Sequence, residues 1–140
     1  MVLVTCANGK TGLALIKQLL SRSIPFSGIT KSINSVNQLM GIGVTNIFQG
    51  DLRDYSDVEK ALANISEIYL ITPNFAADED LMFENILKVA KNRPHFRIIL
   101  HSVIHPQISE LPHHYSRLKL EQRLINSGVE WVILQPTMYM

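Results

Sequence analysis

Short runs dominated by apolar residues alternate along the chain with stretches in which apolar residues recur every three or four positions. The runs are typical of buried strands, and the longer spacing is typical of helices that pack one face on a core. The runs predict six strands, at residues 1–5, 25–30, 44–49, 65–71, 95–101 and 129–135. The periodic stretches predict five helices, at residues 11–21, 35–40, 57–63, 78–91 and 114–127.

This alternation of strand and helix predicts a doubly wound α/β fold, in which a parallel sheet is covered by helices on both faces. Local residues support the helix positions. Ser56 is placed to cap the third helix, and three acidic residues that begin at Asp78 favour the start of the fourth. The spacing also predicts that Leu81 and Ile125 face the core.

The composition narrows the class of protein. The 140 residues suit one domain, and 46% of them are hydrophobic, which is enough for a core. Thirteen basic and twelve acidic residues leave a net charge of +1, so we expect neither a nucleic acid nor a membrane surface as partner. The single cysteine excludes an internal disulfide and favours a cytoplasmic protein, and no apolar run has the roughly 18 residues of a membrane span. The spacing of histidine, cysteine and carboxylate residues predicts no metal site.

A glycine-containing segment, VTCANGKTG at residues 4–12, follows the first strand and opens the first helix. Gly9 and Gly12 keep two of the three spaced positions of a dinucleotide-binding loop, in which the helix start binds the pyrophosphate. Its GKT sequence also matches the end of a triphosphate-binding loop, but the first glycine of that loop would fall on Val4, within the strand. A plain strand-to-helix turn is the remaining alternative.

Cys6 stands where the first glycine of a dinucleotide loop is expected. Its side chain must either point into the core or crowd the pyrophosphate. We predict that it points into the core, and that cofactor binding is kept but weakened. A redox-active thiol at the helix start is the alternative.

Several segments, in order and at consistent spacing, resemble the NmrA-like group of atypical short-chain dehydrogenase/reductases. The glycine segment resembles V-T-G-A-T-G-x-x-G, and GVTNIFQGDLRD at residues 43–54 resembles G-V-x-x-x-x-G-D-L-x-D. LITP at residues 70–73 matches the end of the fourth strand of that family, and HSV at residues 101–103 resembles S-S-V. Residues 113–140 resemble a family segment that contains S-K-x-x-x-E, then S-G, then R-P.

The resemblance implies a Rossmann-type sheet with the strand order 3-2-1-4-5-6 and an NAD(P) cofactor across the carboxyl ends of its strands. We expect one group of residues to line this cofactor: Cys6, Asn8, Gly9, Lys10, Thr11, Gly12, Lys31, Asp51, Leu52, Thr72, Pro73, Ser102 and Val103. The family continues into a smaller carboxyl-terminal lobe that closes over substrate. We therefore expect residues 1–140 to be the NAD(P)-binding domain alone, and the apolar ending at Met138, Tyr139 and Met140 favours a missing lobe.

The end of the second strand favours NADP(H) over NAD(H). An NAD site usually has an acidic residue there, which binds the ribose hydroxyls. The sequence at this point is GITKS, without an acid, and Lys31 offers a positive charge to a 2′-phosphate. The alternative is that Lys31 is only a solvated loop residue.

Two pairs of residues compete for a catalytic role on the fifth helix. Tyr115 and Lys119 form the Tyr-x-x-x-Lys pattern of short-chain reductases, in which the tyrosine is a general acid. Aligned on the family segment, however, these two positions fall on His113 and Arg117, also four residues apart. We favour His113 and Arg117, because the family segment is anchored in this alignment by Ser116, Glu121, Leu124 and the Ser127-Gly128 pair. Histidine can donate a proton near neutral pH, so this alignment still allows catalysis.

Two functions are compatible with the resemblance. The first is an NADPH-dependent oxidoreductase that transfers hydride to a small carbonyl compound or quinone. The alternative is a non-enzymatic NAD(P)-sensing regulatory module that binds a partner protein. An exposed sheet edge would also allow a homodimer.

Overall fold

The computed structural model of this protein describes residues 1–73 and 76–137. The strands are β1 (Val2–Val4), β2 (Phe26–Thr30), β3 (Ile47–Gln49), β4 (Glu67–Leu70), β5 (Arg97–His101) and β6 (Glu130–Leu134). The helices are α1 (Lys10–Ser21), α2 (Ile33–Gly41), α3 (Tyr55–Leu62), α4 (Glu79–Lys91) and α5 (Pro112–Ile125). The apolar ending at residues 138–140 lies outside the described residues.

The six strands form one parallel sheet in the order β3-β2-β1-β4-β5-β6, which confirms the predicted Rossmann-type topology. The chain reverses its direction across the sheet between β1 and β4. In sheets of this kind, ligands bind outside the carboxyl ends of the strands at that point. Thr5 joins the two strand ends there, because its hydroxyl donates to the carbonyl of Ile71 at 2.6 Å and accepts from the Ile71 N–H at 2.7 Å.

Two apolar clusters cover the two faces of the sheet. Val4 packs in one cluster with side chains of α1 and α2, such as Ile16 and Leu39. The preceding residue, Leu3, points to the opposite face and joins a larger cluster with side chains of α3, α4 and α5. Successive residues of β1 are therefore buried on both faces, as expected for a central strand of a parallel sheet.

The last strand, β6, lies at the edge of the sheet and is poorly covered. Trp131, Val132 and Leu134 are all exposed, although they are large and hydrophobic. Edge strands with apolar exposure are candidates for association with another surface. Among the described residues, no helix has the length and apolar character needed to span a membrane.

Three sequence expectations about the helices are wrong. Asp54, not Ser56, caps α3, because the helix begins earlier than predicted and the Asp54 carboxylate accepts the N–H of Asp57. Leu81 in α4 is 47% exposed, and Ile125 in α5 is 50% exposed. The core-facing side of α5 carries Arg117 and Glu121 beside its leucines, and hydrophobicity alone assigns such charged side chains to solvent.

Candidate functional site

Two adjoining cavities lie along the carboxyl edge of the sheet. The first cavity, of about 840 Å³, is bordered by the ends of β1, β4 and β5 and by the start of α5. The second cavity, of about 690 Å³, is bordered by the ends of β2 and β3 and by the start of α2. Both are lined by Cys6, Asn8 and Pro73, so the segment after β1 lies where the two meet.

Nearly all of the residues predicted to form the site border these cavities. The first is lined by Cys6, Asn8, Gly9, Lys10, Thr11, Gly12, Thr72, Pro73, Ser102, Val103, His113 and Arg117. The second is lined by Cys6, Asn8, Lys31, Asp51, Leu52 and Pro73. Tyr115 and Lys119 line neither.

The turn between β1 and α1 needs glycine at position 12 because two backbone segments meet there. A Cβ at Gly12 would lie 3.0 Å from the Cα of Ala7 and closer still to the carbonyl oxygen of Cys6. The requirement at Gly9 is milder, since a Cβ there would lie 3.2 Å from the same oxygen. The turn is closed by the Gly9 N–H, which donates to the Cys6 carbonyl at 2.9 Å.

Cys6 adopts a left-handed backbone conformation, with φ of 46°. Glycine reaches this conformation without strain, whereas a residue with a Cβ reaches it at a cost. This is the physical reason why a glycine is expected at the position. The turn nevertheless forms with cysteine.

The Cys6 side chain is not where the sequence analysis places it. Cys6 is absent from both apolar clusters; it is partly exposed and lines both cavities. Its surroundings still desolvate the sulfur, which raises the pKa of the thiol to about 11, although the nearby Arg117 opposes the shift. The thiol is therefore protonated near neutral pH, which disfavours a redox-active thiolate.

The start of α1 opens into the first cavity without a side-chain cap. Within the described chain, Gly9 at the cap position provides no side-chain acceptor; α4 and α5 also lack a side-chain cap, whereas α2 and α3 are capped by Ser32 and Asp54. The first N–H groups of a helix need acceptors and bind anions well. An uncapped helix start beside a glycine turn fits the pyrophosphate of a dinucleotide.

A buried polar cluster joins the end of β4 to α4 and α5. Arg117, only 3% exposed, pairs with Glu79 at 2.8 Å and donates to the Thr72 hydroxyl, which in turn donates to Glu79. Burial lowers the pKa of Arg117, and the Glu79 carboxylate opposes this shift. The Arg117 Nε atom is buried without a hydrogen-bond partner in the part of the chain that the structure describes. Arg117 is thus held beneath the first cavity rather than extended into it.

A second buried carboxylate holds the end of β5. The Ser102 hydroxyl donates to Glu121 of α5, and the same carboxylate accepts from the Gln135 amide at 3.1 Å. The hydroxyls of Thr72 and Ser102, two residues predicted to line the site, therefore both donate to buried carboxylates. These contacts fix the strand ends that border the first cavity.

The structure brings His113 and Arg117 to the first cavity and leaves Tyr115 and Lys119 outside it. Tyr115 is 45% exposed, and the Lys119 amine lies 5.1 Å from the centre of its ring. Burial lowers the pKa of His113, and the positive charge of Arg117 contributes to the shift, while Glu79 opposes it. His113 is consequently more often neutral than an ordinary histidine.

His101 also borders the first cavity, although the sequence analysis gives it no role. Its Nδ1 shares a hydrogen bond of 3.0 Å with the Tyr69 hydroxyl, across the neighbouring strands β5 and β4. Burial lowers its pKa, with a further contribution from Arg117.

An ionic cluster borders the second cavity. The Asp51 carboxylate contacts the Lys31 amine at 3.1 Å and is clasped by the Arg53 guanidinium, with the shortest distance at 2.6 Å. Arg53 also reaches Asp78 at 3.1 Å. The hydrogen bond from Arg53 is the main reason why the pKa of Asp51 lies well below its usual range. Lys31 and Asp51, predicted as separate cofactor contacts, are thus paired with each other.

Besides His101, sequence reasoning missed three charged residues of this site: Arg53, Glu79 and Glu121. Arg53 lies within the segment that resembles G-D-L-x-D, but at a position where the pattern allows any residue. Glu79 and Glu121 lie in helices, where a charged residue is ordinarily assigned to the solvent-facing side. A buried arginine at position 117 would have required a counter-charge, and only the fold shows which carboxylate supplies it.

A family model described as NAD(P)H-binding matches residues 6–140. The NAD(P)H azoreductase of Xenophilus azovorans is 23% identical over 145 residues, an alignment that covers 100% of this chain and 49% of the azoreductase. This chain therefore spans about half the length of that curated relative.

Two solved structures share the fold. The NADPH-dependent quinone oxidoreductase of Escherichia coli, in complex with NADPH, aligns with a TM-score of 0.87 and 22% identity over 99% of this chain and 50% of its own. The triphenylmethane reductase of Citrobacter sp., in complex with NADP(H), aligns with a TM-score of 0.84 and 20% identity over the same two shares.

Proposed function

This chain belongs to the NAD(P)H-binding family, and we propose that it is the cofactor-binding domain of an NADPH-dependent oxidoreductase. Its resemblance to the NmrA-like short-chain dehydrogenase/reductases agrees with this family. The proposed reaction is the transfer of hydride to a small carbonyl compound or quinone. The similar proteins are named as azoreductase, quinone oxidoreductase and triphenylmethane reductase, so a regulatory module without catalysis is not favoured.

The observation that carries the proposal is the pair of cavities that meet at the glycine turn. A dinucleotide has two nucleoside halves joined by a pyrophosphate, and the uncapped start of α1 opens into the first cavity directly after Asn8, which lines both cavities. We assign the adenosine half to the second cavity, beside Lys31 and Asp51. We assign the nicotinamide half to the first cavity, beside Thr72 and Ser102.

When bound, the reduced nicotinamide supplies the hydride. The protein must then position the acceptor and provide a proton to its oxygen. His113 is the proposed proton donor, since it lines the first cavity and α5 holds it one turn before Arg117. Arg117, Glu79 and Thr72 position the end of β4 rather than contact substrate.

The proposed preference for NADPH rests on Lys31 at the end of β2 and on the absence of an acidic side chain in residues 28–32. The lysine amine can form an ion pair with the 2′-phosphate of NADPH, whereas the carboxylate of an acidic residue would repel it. The pairing of Lys31 with Asp51 means that this charge is already partly compensated.

Titration of the purified chain with NADPH and with NADH, followed by nicotinamide fluorescence, tests the binding step. We expect both cofactors to bind and NADPH to bind more tightly. If neither NADPH nor NADH binds, the proposal is contradicted. Oxidation of NADPH by a panel of quinones tests the reaction. His113→Ala should slow it much more than Tyr115→Phe, and the opposite ranking would return the catalytic role to Tyr115 and Lys119.

A further inference from the structure

We infer that Arg53 is a second cation for the 2′-phosphate of NADPH, and that Asp51 is the carboxylate which this phosphate displaces. The inference rests on the proposed function, because it concerns how the second cavity distinguishes NADPH from NADH. It differs from a simple lysine contact, since the discrimination comes from an exchange of ion pairs.

The topology brings the two cations together. Lys31 follows β2 and Arg53 follows β3, and these strands are adjacent in the sheet. Both side chains reach the same Asp51 oxygen, Oδ2, at 3.1 Å for Lys31 and 2.6 Å for Arg53. All three residues line the second cavity. The wall of this cavity thus carries two positively charged side chains with a carboxylate between them.

The charge balance argues for exchange rather than simple addition. Arg53 also contacts Asp78, at 3.1 Å, so two cations face two carboxylates and the formal charge of the cluster is zero. A phosphate that approaches the intact cluster meets no excess of positive charge. It gains attraction only if Lys31 and Arg53 turn from the carboxylates toward it.

The exchange is feasible because the present contacts are exposed. The side chains of Lys31 and Arg53 are 67% and 40% exposed, and ion pairs of this kind contribute little to stability. A phosphate monoester carries a charge of about −1.5 to −2 at neutral pH, more than one carboxylate. It also accepts the paired N–H groups of an arginine in parallel.

Neighbouring groups hold Asp51 in place beside the cavity. Its own N–H donates to the Asp57 carboxylate at 3.0 Å, which ties the segment to the first turn of α3. Directly after Lys31, the hydroxyls of Ser32 and Ser35 lie 2.8 Å apart at the start of α2 and line the same cavity. They offer further donors to an anion that enters between the two cations.

NADH presents a neutral 2′-hydroxyl at this place and has no reason to open the cluster. Removal of Arg53 should therefore weaken the binding of the phosphorylated ligand only. Removal of the Asp51 charge should have the opposite effect, because it frees Lys31 and leaves Arg53 paired only with Asp78. Any contact that Asp51 makes with adenine is common to both ligands and cancels in the ratio of their affinities.

The experiment measures this ratio by calorimetry on the full chain, with adenosine 2′,5′-bisphosphate and adenosine 5′-monophosphate as probes, and then with NADPH and NADH. Arg53→Ala should lower the preference for the 2′-phosphorylated ligand by about tenfold, the effect of one charge-assisted contact. Asp51→Asn should raise the preference by about threefold. Arg53→Lys, which keeps the charge but not the paired donors, should lie between Arg53→Ala and the unmodified chain.

Arg22→Ala is the matched control, since Arg22 lies at the end of α1 and lines neither cavity. An unchanged ratio in a folded Arg53→Ala variant would overturn the inference, as would a lower ratio in Asp51→Asn. These outcomes differ from failure of the proposed function, in which neither NADPH nor NADH binds the unmodified chain. That result would contradict both the proposed function and the inference about Arg53.

Discussion

Gly12→Ala should destabilise the fold, although alanine is the better helix former. Gly12 lies in the first turn of α1, and its missing side chain allows the helix to approach the loop after β1. A Cβ would meet the Cα of Ala7 at 3.0 Å and the Cys6 carbonyl more closely, and these backbone atoms cannot rotate away. Overpacking costs about 1–3 kcal/mol, and a backbone contact favours the upper end. Alanine returns about 1 kcal/mol of helix propensity, so the expected net loss is about 2 kcal/mol.

Gly41→Ala is the control for this substitution. Gly41 is the last residue of α2, and an added Cβ there would meet no atom within 4 Å. The gain in helix propensity is of the same kind, without the clash. We expect the free energy of unfolding to be unchanged or to rise by up to about 1 kcal/mol.

Urea unfolding followed by far-ultraviolet circular dichroism measures both variants against the unmodified chain. The expected loss for Gly12→Ala corresponds to a melting temperature lower by roughly 5–10 °C. The affinity for NADPH should fall as well, because the clash displaces the turn assigned to the pyrophosphate. If Gly12→Ala unfolds at the same urea concentration as Gly41→Ala, the close approach of helix and loop is refuted as the reason for this glycine.

The remaining predictions concern ionisable groups around the first cavity. If His113 donates the proton, the reduction rate should rise as the pH falls below the usual pKa of histidine, because the pKa of His113 is lowered and only the protonated ring is taken as the donor; Tyr115→Phe should keep this profile, and a flat profile would contradict the role. Glu79→Gln should lower the free energy of unfolding by about 3 kcal/mol in urea, since Arg117 stays buried without a counter-charge, whereas Glu79→Leu combined with Arg117→Met should cost less. Alkylation of Cys6 by iodoacetamide should be slow at pH 8 and accelerate toward pH 11, following its raised pKa. Cys6→Gly should tighten NADPH binding because it removes a side chain that lines both cavities; an unchanged or lower affinity would show that the cysteine is no handicap.

The alternation of strands and helices could be predicted because each strand of the sheet has a local signature, whereas the strand order followed from the resemblance to the NmrA-like group. Short apolar runs separated by helical spacing leave few topologies for a parallel sheet. The side of each helix that faces the core was harder to predict from the sequence. In α5 the core-facing positions include Arg117 and Glu121, so hydrophobicity alone assigned Ile125 to the wrong face. The predicted cap of α3 was also wrong. Asp54 and Ser56 are both good capping residues, and only the backbone conformation selects between them.

The candidate site was predictable as far as it follows the ends of strands. The glycine turn, Lys31 and Thr72 come directly after strands, and the carboxyl ends of parallel strands meet at one edge. The ionic partners were not predictable, because a contact such as that between Glu79 and Arg117 joins residues 38 positions apart on two different helices. Cys6 shows the same limit, since its surroundings come from segments distant in sequence.

The burial of Arg117 against Glu79 has a consequence for how this sequence can change over generations. If Glu79 is replaced before Arg117, the intermediate protein has a buried arginine without a counter-charge. If Arg117 is replaced before Glu79, the intermediate protein has a buried carboxylate without a counter-charge. Either step lowers the amount of folded protein available to selection. Positions 79 and 117 are therefore expected to vary together in natural descendants of this chain, either both charged or both apolar, while the exposed cations at positions 31 and 53 can be exchanged one at a time.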